Sequence, residues 1–363
     1  MALTLCVQRP LSDIWSYTNA KLTKPCVIAL GVFDGIHRGH QTILHGALQE
    51  AEAQGLDSLV FSFWNHPQTL LKHTTKPLLT LPEERLAFFE TLGFQHICMP
   101  FFDETLQAMP AEVFLHTYLL EACRMQRLWV GQNFCFGAER KGTVAFLEEA
   151  ALSHQHTHAH LPWQVHAPEL LCDTSHSKSF TDLGTSQVTE VICSTRIREA
   201  LQQEGNLETV TRYLGRPYQL SGTVIHGAKR GRSIGFPTAN LKVSPEKCLP
   251  AKGVYIVEAF LPSRQKHYWG ACNVGQLPTI QAIPTSALSL EVHLLDFPVI
   301  ASLASTPVLE TFYGESITLT FHQKIRDEQK FENLEALRTQ IVQDIACVRR
   351  FTAQRSQPHA VSI

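Results

Sequence analysis

The stretch that most limits what this chain can become is Gly31-Val32-Phe33-Asp34-Gly35-Ile36-His37-Arg38-Gly39-His40, because the hydrophobic period changes across it. Before it, Cys26-Val27-Ile28-Ala29-Leu30 is a continuous apolar run, the pattern of a strand buried on both faces. After it, Ile43, Leu44, Ala47, Leu48 and Ala51 recur at helical spacing. The stretch is therefore a strand-to-helix turn. Such a turn directs unpaired backbone N–H groups and the positive end of a helix outward, which suits a phosphate. His37 and His40 are close enough in helical spacing to face one ligand. Two imidazoles at a helix N-terminus can stabilise charge that grows on a phosphate in a transition state.

The next apolar run, Ser58 to Phe63, leads into Trp64-Asn65-His66-Pro67. Strand, helix and strand at this spacing form a parallel crossover unit, whose ligands lie at the carboxyl ends of the strands. His66 sits at such an end. A helix follows with Glu83, Glu84 and Arg85 near its start and Leu86, Phe89 and Leu92 on its apolar face. Further along come a short strand at His96 to Met99, a helix over about 111–122, and a strand at Arg127 to Val130. That last strand runs into Gly131-Gln132-Asn133-Phe134-Cys135-Phe136-Gly137. Asn133 there reads either as a donor and acceptor for a planar heterocycle or as a turn residue bonding its own backbone.

His154, His156, His158 and His160 alternate, so in a strand they would share one face; a bare tract lacks the orienting partners of a metal site. Residues 172–189 are polar and irregular and read as a surface loop. Ser194-Thr195-Arg196-Ile197-Arg198 then opens a helix. Its hydroxyls serve as caps, and its two arginines could clamp phosphate.

From about Tyr213 the crossover units stop and short strands begin, at 218–226, 253–260, 268–274, 288–295 and 316–322. Strands at this spacing suggest a small β-barrel. In the last one Ile317, Leu319 and Phe321 alternate with Thr318, Thr320 and His322. A final helix carries Leu334, Leu337, Ile341, Ile345 and Val348 on one stripe, which would cover an open side of the barrel. Between the first two of these strands, residues 227–240 are rich in glycine and basic residues. This segment reads as a basic hairpin tip or as a polyphosphate wrap, with Thr238 and Asn240 offering oxygens to Mg²⁺. In Leu288 to Leu294, Glu291 shares a face with Ser289 and His293, opposite the leucines. A carboxylate so placed is either solvated or used as a base.

A chain of 363 residues has room for two domains. Its 44% hydrophobic and 18% charged residues are a soluble globular balance, and a net charge of −2 points to neither nucleic acid nor an anionic membrane as partner. No apolar run is long enough to span a bilayer, and the first residues lack the pattern of a signal peptide. Ten cysteines without a C-x-x-C pair read as reduced thiols, hence a cytoplasmic chain.

Strand, H-x-G-H and helix in that order resemble the nucleotidylyltransferase superfamily. The wider set of motifs resembles the bifunctional bacterial riboflavin kinase/FMN adenylyltransferase family. Those pieces are G-V-F-D-G-I-H-R-G-H at 31–40, F-x-x-H-P at 63–67, G-x-N-F-x-F-G at 131–137 and S-T-R-I-R at 194–198. They continue with G-R-P-Y-x-L-S-G at 215–222, G-F-P-T-A-N at 235–240, E-V-H-L-L-D-F at 291–297 and R-D-E-Q-K-F at 326–331. The resemblance implies a Rossmann-like adenylyltransferase domain over residues 1–212 and a riboflavin kinase domain over 213–363. The latter would be a six-stranded Greek-key barrel with a terminal helix. It also implies riboflavin, FMN, FAD and ATP as substrates and products, with Mg²⁺.

By the same resemblance, Gly31, Phe33, Asp34, Gly35, His37 and His40 would receive the ATP of the adenylyl step. Ser194, Thr195, Arg196 and Arg198 would close on its phosphates, and Phe63, His66, Pro67 and Asn133 would shape the flavin pocket. In the kinase, Gly231, Gly235, Pro237, Thr238 and Asn240 would hold Mg-ATP, and Glu291 would be the base. The implied partners are small molecules, on a monomer or weak homo-oligomer. An adenylyltransferase for another phosphorylated precursor, or a non-catalytic flavin-binding regulator, are the competing readings. The chain departs from the family pattern at Asn65, where proline is usual, at Cys193, where serine is usual, and in a longer tract from His154 to Val188; Asn273 to Thr279 keeps only loosely the N-x-G-x-x-P-T segment that the resemblance places near the flavin.

Overall fold

The computed structural model describes residues 3–10, 22–72, 76–157, 162–173, 190–226, 235–276, 288–297, 300–301, 307–308 and 313–356. It divides into two compact units, Met1–Ser194 and Thr195–Ile363.

The first unit is a parallel sheet of six strands: β1 (Leu3–Pro10), β2 (Cys26–Leu30), β3 (Asp57–Phe61), β4 (His96–Phe101), β5 (Met125–Trp129) and β6 (Gln164–His166). Their order across the sheet is β1-β4-β3-β2-β5-β6, with every neighbouring pair parallel. The order reverses between β2 and β5, so the crevice beyond their carboxyl ends is the natural ligand position in such a sheet. Alternation along β2 feeds two cores. Ile28 and Leu30 join Leu59, Phe61 and Leu128 on one face, while Val27 and Ala29 join Val60, Phe89 and Ile97 on the other. That is why the run reads as uniformly apolar. Edge strand β1 is an addition to the reading above, which drew no strand there.

Helix α1 (Arg38–Gln54) returns over the sheet and buries Ile43, Leu44, Ala47 and Ala51, the stripe expected from its spacing. Its C-terminal half is pinned by Glu50, whose carboxylate accepts from Trp129 Nε1 at 2.6 Å and Arg127 Nε at 3.1 Å. The helix over 114–122 is wider than a regular one, with Cys123 N–H donating to the Tyr118 carbonyl at 2.9 Å. His154 and His156 belong to helix Val144–Thr157, so the strand periodicity considered for them does not apply. His158 and His160 lie outside the described residues, as does most of the polar tract 172–189.

The second unit is a closed antiparallel barrel. Its strands are β7 (Tyr218–Ile225), β8 (Ala239–Val243), β9 (Gly253–Leu261), β10 (Lys266–Gln276), β11 (Leu288–Leu294) and β12 (Ser316–Arg326). Their cyclic order is β7-β8-β11-β10-β9-β12. Because β12 returns to lie beside β9, the first of three hairpin-connected strands, the topology is a Greek key. Ile317, Leu319 and Phe321 are fully buried inside it. Strand β8 corrects the reading of 227–240 as a hairpin tip: Ala239 and Asn240 already belong to the barrel wall, Ala239 paired to Val292 of β11 and Asn240 paired to both β7 and β11.

The terminal helix, Leu334–Ser356, packs through Val348, Ile345 and Phe351 on Ile256, Trp269 and Leu295. Only its later turns cover the barrel, since Leu334 is 63% exposed. A bidentate pair from Arg326 to the buried Asp344, at 2.9 to 3.2 Å, fixes that docking. Among the described residues no helix is long and apolar enough to cross a membrane.

Gly46 tests the seating of α1. A β-carbon there would meet the Trp129 ring at 2.2 Å, and that ring is held by Glu50. Gly46→Ala is expected to destabilise the first unit by about 1–3 kcal/mol despite alanine's higher helix propensity. Urea unfolding followed by tryptophan fluorescence measures it.

Candidate functional site

The turn after β2 is held in an uncommon backbone conformation. Gly35 has φ of 84°, and the non-glycine residues Phe33 and Ile36 have φ of 53° and 43°. Left-handed φ at a side-chain-bearing residue costs free energy and persists only where the surroundings impose it. Here Phe33 and Ile36 are buried, and the Asp34 carboxylate accepts from the backbone N–H groups of Leu79 and Thr80 at 3.3 and 3.0 Å. Thr80 returns a bond, its hydroxyl oxygen accepting from Gly35 N–H at 2.9 Å. Asp34 thus anchors the turn through its side chain and accepts from the Ser194 hydroxyl through its carbonyl at 2.8 Å.

His37 caps α1, its Nδ1 accepting from the His40 backbone N–H at 3.3 Å. The two imidazoles stack with centroids 3.6 Å apart. Burial, then the neighbouring His37 and Arg85, hold the His40 imidazole well below its ordinary range, so the ring is neutral near pH 7. Its Nδ1 is shielded from solvent and bonded to nothing among the described residues.

The carboxyl ends of β2, β3 and β5 enclose a cleft of about 670 Å³ beside this turn. Phe63, Phe102, Phe114, Phe134 and Phe136 give it aromatic walls, and His66, Pro67 and Asn133 lie on its lining. His66 Nδ1 accepts from Gln68 N–H at 3.1 Å, which orients the ring as a helix cap. Asn65 exchanges two bonds with the Phe102 backbone, at 2.7 and 3.0 Å. The residue that departs from the family pattern therefore ties the end of β3 to the end of β4. The cleft's size and walls suit a planar aromatic ligand.

In the second unit, strand register brings together residues that lie far apart in the chain. Asn240 of β8 and Asn273 of β10 both pair directly with Glu291 of β11. The three therefore form one row on the barrel's outer face, opposite the buried Leu290 and Val292. One row along, the Glu328 carboxylate occupies the space that a β-carbon on Gly275 would take, and that space also borders the Asn273 amide. Gly235, Pro237 and Thr238 run into this row. His293 donates from Nδ1 to the Pro237 carbonyl at 2.8 Å, fixing that segment against β11, and burial holds its imidazole below the ordinary range. The oxygens of Thr238 and Asn240 are hard donors of the kind Mg²⁺ accepts. Gly231 lies outside the described residues.

Thr195, Arg196 and Arg198 lie on the helix Ser194–Glu199, with Thr195 exposed, Arg196 half-buried and Arg198 buried. They follow Ser194 in the chain but belong to the second compact unit. Thr80 and Arg85 have no assigned part in a site from sequence alone, whereas Asn273 and Glu328 fall in the segments at 273–279 and 326–331 that resemble the family's, without a role of their own. No local pattern marks the first two, since their partners are 46 and 21 residues away.

Comparison with known proteins follows the same division. A family model described as FAD synthetase matches residues 19–167, and one described as riboflavin kinase matches 214–352. The bifunctional riboflavin kinase/FMN adenylyltransferase of Escherichia coli (strain K12) is 34% identical, covering 90% of this chain and 92% of its own. The protein of that name from Bacillus subtilis (strain 168) is 33% identical, covering 88% and 90%. A crystal structure of a Streptococcus pneumoniae protein named for macrolide efflux superposes with a TM-score of 0.71 at 26% identity, covering 90% of this chain and 94% of that one.

The low affinity of His40 for a proton carries a stability signature. Below about pH 6.5 the unfolded ring takes up a proton that the folded ring refuses, so the first unit loses stability as the pH falls. His40→Asn is expected to weaken that dependence between about pH 7 and about pH 5. Urea midpoints of parent and variant across this range test it.

Proposed function

Because the chain belongs to the bifunctional riboflavin kinase/FMN adenylyltransferase family, we propose how its residues divide the synthesis of FAD between two sites. Riboflavin and ATP give FMN and ADP in the C-terminal domain; FMN and a second ATP give FAD and pyrophosphate in the N-terminal domain. What supports the assignment of residues is that each unit carries its own constellation. The first has a histidine-capped helix start beside an aromatic cleft. The second has a carboxylate flanked in register by two asparagines. The functional boundary falls between residues 212 and 213, so that Ser194 to Arg198 serve the first site.

The two sites face different chemical problems. A ribityl hydroxyl has a pKa far above neutrality and needs a base to attack the γ-phosphate. Glu291 accepts that proton, with Asn240 and Asn273 orienting the carboxylate and the hydroxyl. Thr238 and Asn240 would hold Mg²⁺, which when bound neutralises phosphate charge. Gly235 and Pro237 approach the ATP through backbone, and Gly231 is assigned to the same nucleotide. An FMN phosphate is already an anion and needs no base, only alignment and charge neutralisation.

In the adenylyl site the isoalloxazine lies in the cleft among Phe63, His66, Pro67 and Asn133. Gly31, Phe33 and Gly35 shape the turn on which the ATP phosphates rest, held by Asp34. His37 and the neutral His40 donate hydrogen bonds to the phosphates at the α1 N-terminus. Arg196 and Arg198 neutralise the β- and γ-phosphates as pyrophosphate leaves, while the Ser194 and Thr195 hydroxyls donate hydrogen bonds to them. The enzyme works in the cytoplasm as a monomer or weak homo-oligomer, without a nucleic acid partner.

Two substitutions separate the sites. With riboflavin, ATP and Mg²⁺, His40→Ala is expected to let FMN accumulate while FAD formation falls by about 100-fold or more. Glu291→Ala is expected to stop FMN formation by a similar factor of about 100 to 10,000 while supplied FMN is still adenylylated. Chromatographic separation of the three flavins reads both outcomes. Loss of both activities in either folded variant would contradict the two-site assignment.

A further inference from the structure

A buried cation next to the adenylyl site has no part in the scheme above. Arg85, on helix α2 (Pro82–Leu92), is 0% exposed. Its guanidinium donates to three carbonyl oxygens: Thr80 at 2.9 Å, Phe63 at 2.8 Å and Trp64 at 2.9 Å. The side chain therefore joins two segments that approach different substrates. Thr80 grips Asp34 and Gly35, and so holds the turn that leads into His37 and His40. Phe63 and Trp64 end the extension of β3 and begin the lip of the aromatic cleft that carries His66. We propose that Arg85 is a positioning residue for adenylyl transfer, setting the His37/His40 turn against the cleft lip so that a phosphate held on one lies in line with a nucleophile held on the other.

The geometry distinguishes this role from a generic core contact. A planar fork with several donors in fixed directions can hold carbonyls from two chain segments at one relative orientation; an ammonium or an apolar side chain cannot. Keeping a guanidinium in the core is costly, and burial lowers its proton affinity against the pull of Asp34, Glu83 and Glu84. An in-line displacement is sensitive to the separation this fork sets, since a misplacement of about 1 Å costs about 100-fold in rate. The charge has a second effect. His40 is faced by the stacked His37 and the edge of Phe33 from its own turn and by Arg85 from α2, and the two cationic or ionisable neighbours disfavour its protonation. Arg85 thereby helps keep His40 in the neutral form near pH 7.

The inference rests on placing adenylyl transfer at the His37/His40 turn, so His40→Ala is measured in parallel. In the full-length chain, Arg85→Met is expected to lower kcat for FAD formation from FMN and ATP by about 100-fold, with KM for both changed by less than about threefold. Its acidic pH limb should move upward as His40 protonates more readily. Riboflavin kinase activity of the same preparation stays at the parent level, and a cooperative urea transition followed by tryptophan fluorescence reports that the first unit is folded. Arg85→Lys keeps the charge without the fork; it is expected to lower kcat by about tenfold with the acidic limb unmoved, and it decides the matter if the methionine variant does not fold.

An Arg85→Met enzyme with parent kcat, or one whose loss lies wholly in KM, overturns the proposal, as does an Arg85→Lys enzyme with parent kcat. If His40→Ala still makes FAD at the parent rate, the site assignment itself fails. If His40→Ala loses the activity while both Arg85 variants keep it, only the role of Arg85 falls.

Discussion

The first unit depends on one buried carboxylate. Asp34 turns away from solvent and accepts hydrogen bonds from Leu79 and Thr80, more than forty residues along the chain. That contact compensates a turn with two side-chain-bearing residues at positive φ, a conformation with no local reason to persist. Because the turn is held, α1 begins at a fixed place and the His37 ring can cap it. Because α1 is also seated at its far end by Glu50 on Trp129 and Arg127, the helix cannot shift along its axis. A phosphate site made from a helix N-terminus needs that rigidity, since its attraction falls off within one turn.

The barrel reaches a comparable result by register. A strand period of two places Leu290, Val292 and Leu294 inside and Ser289, Glu291 and His293 outside, and antiparallel pairing lays Asn240 and Asn273 on either side of Glu291. A one-residue slip of β11 would bury Glu291 and expose the leucines, so the core enforces the alignment of the site. The same packing that stabilises the unit therefore assembles its chemistry, and the Arg326–Asp344 pair holds the segment carrying Glu328 against that face.

The two constellations differ in chemistry, and the proposed division of labour rests on that difference. One contains a carboxylate, the group that deprotonating an alcohol calls for; the other contains imidazole and backbone N–H groups, which suit the approach of one phosphate to another. Burial of His40 is compatible with the second arrangement, since a neutral ring still donates a hydrogen bond and has no acidic extra proton to give to an anion.

The periodicities of β2, α1 and β12 and the change of character near Tyr213 were legible in the amino-acid order, which also marked His37, His40, His66, Asn133, Thr238, Asn240 and Glu291 as candidates for a site. They rest on local spacing and on residue chemistry, which a linear string carries in full. What only tertiary structure decided was which distant residues meet. Thr80 and Arg85 look like an ordinary helix start until the fold brings them under Asp34 and Phe63. Strand β8 hides inside a glycine-rich segment because pairing on both sides, not its own pattern, makes it a strand. Leu334 continues an apolar stripe yet stays exposed, because the barrel ends before the helix does. Hydrogen bonds and packing between segments tens of residues apart leave no period in the sequence, and so they become visible only once the chain has folded.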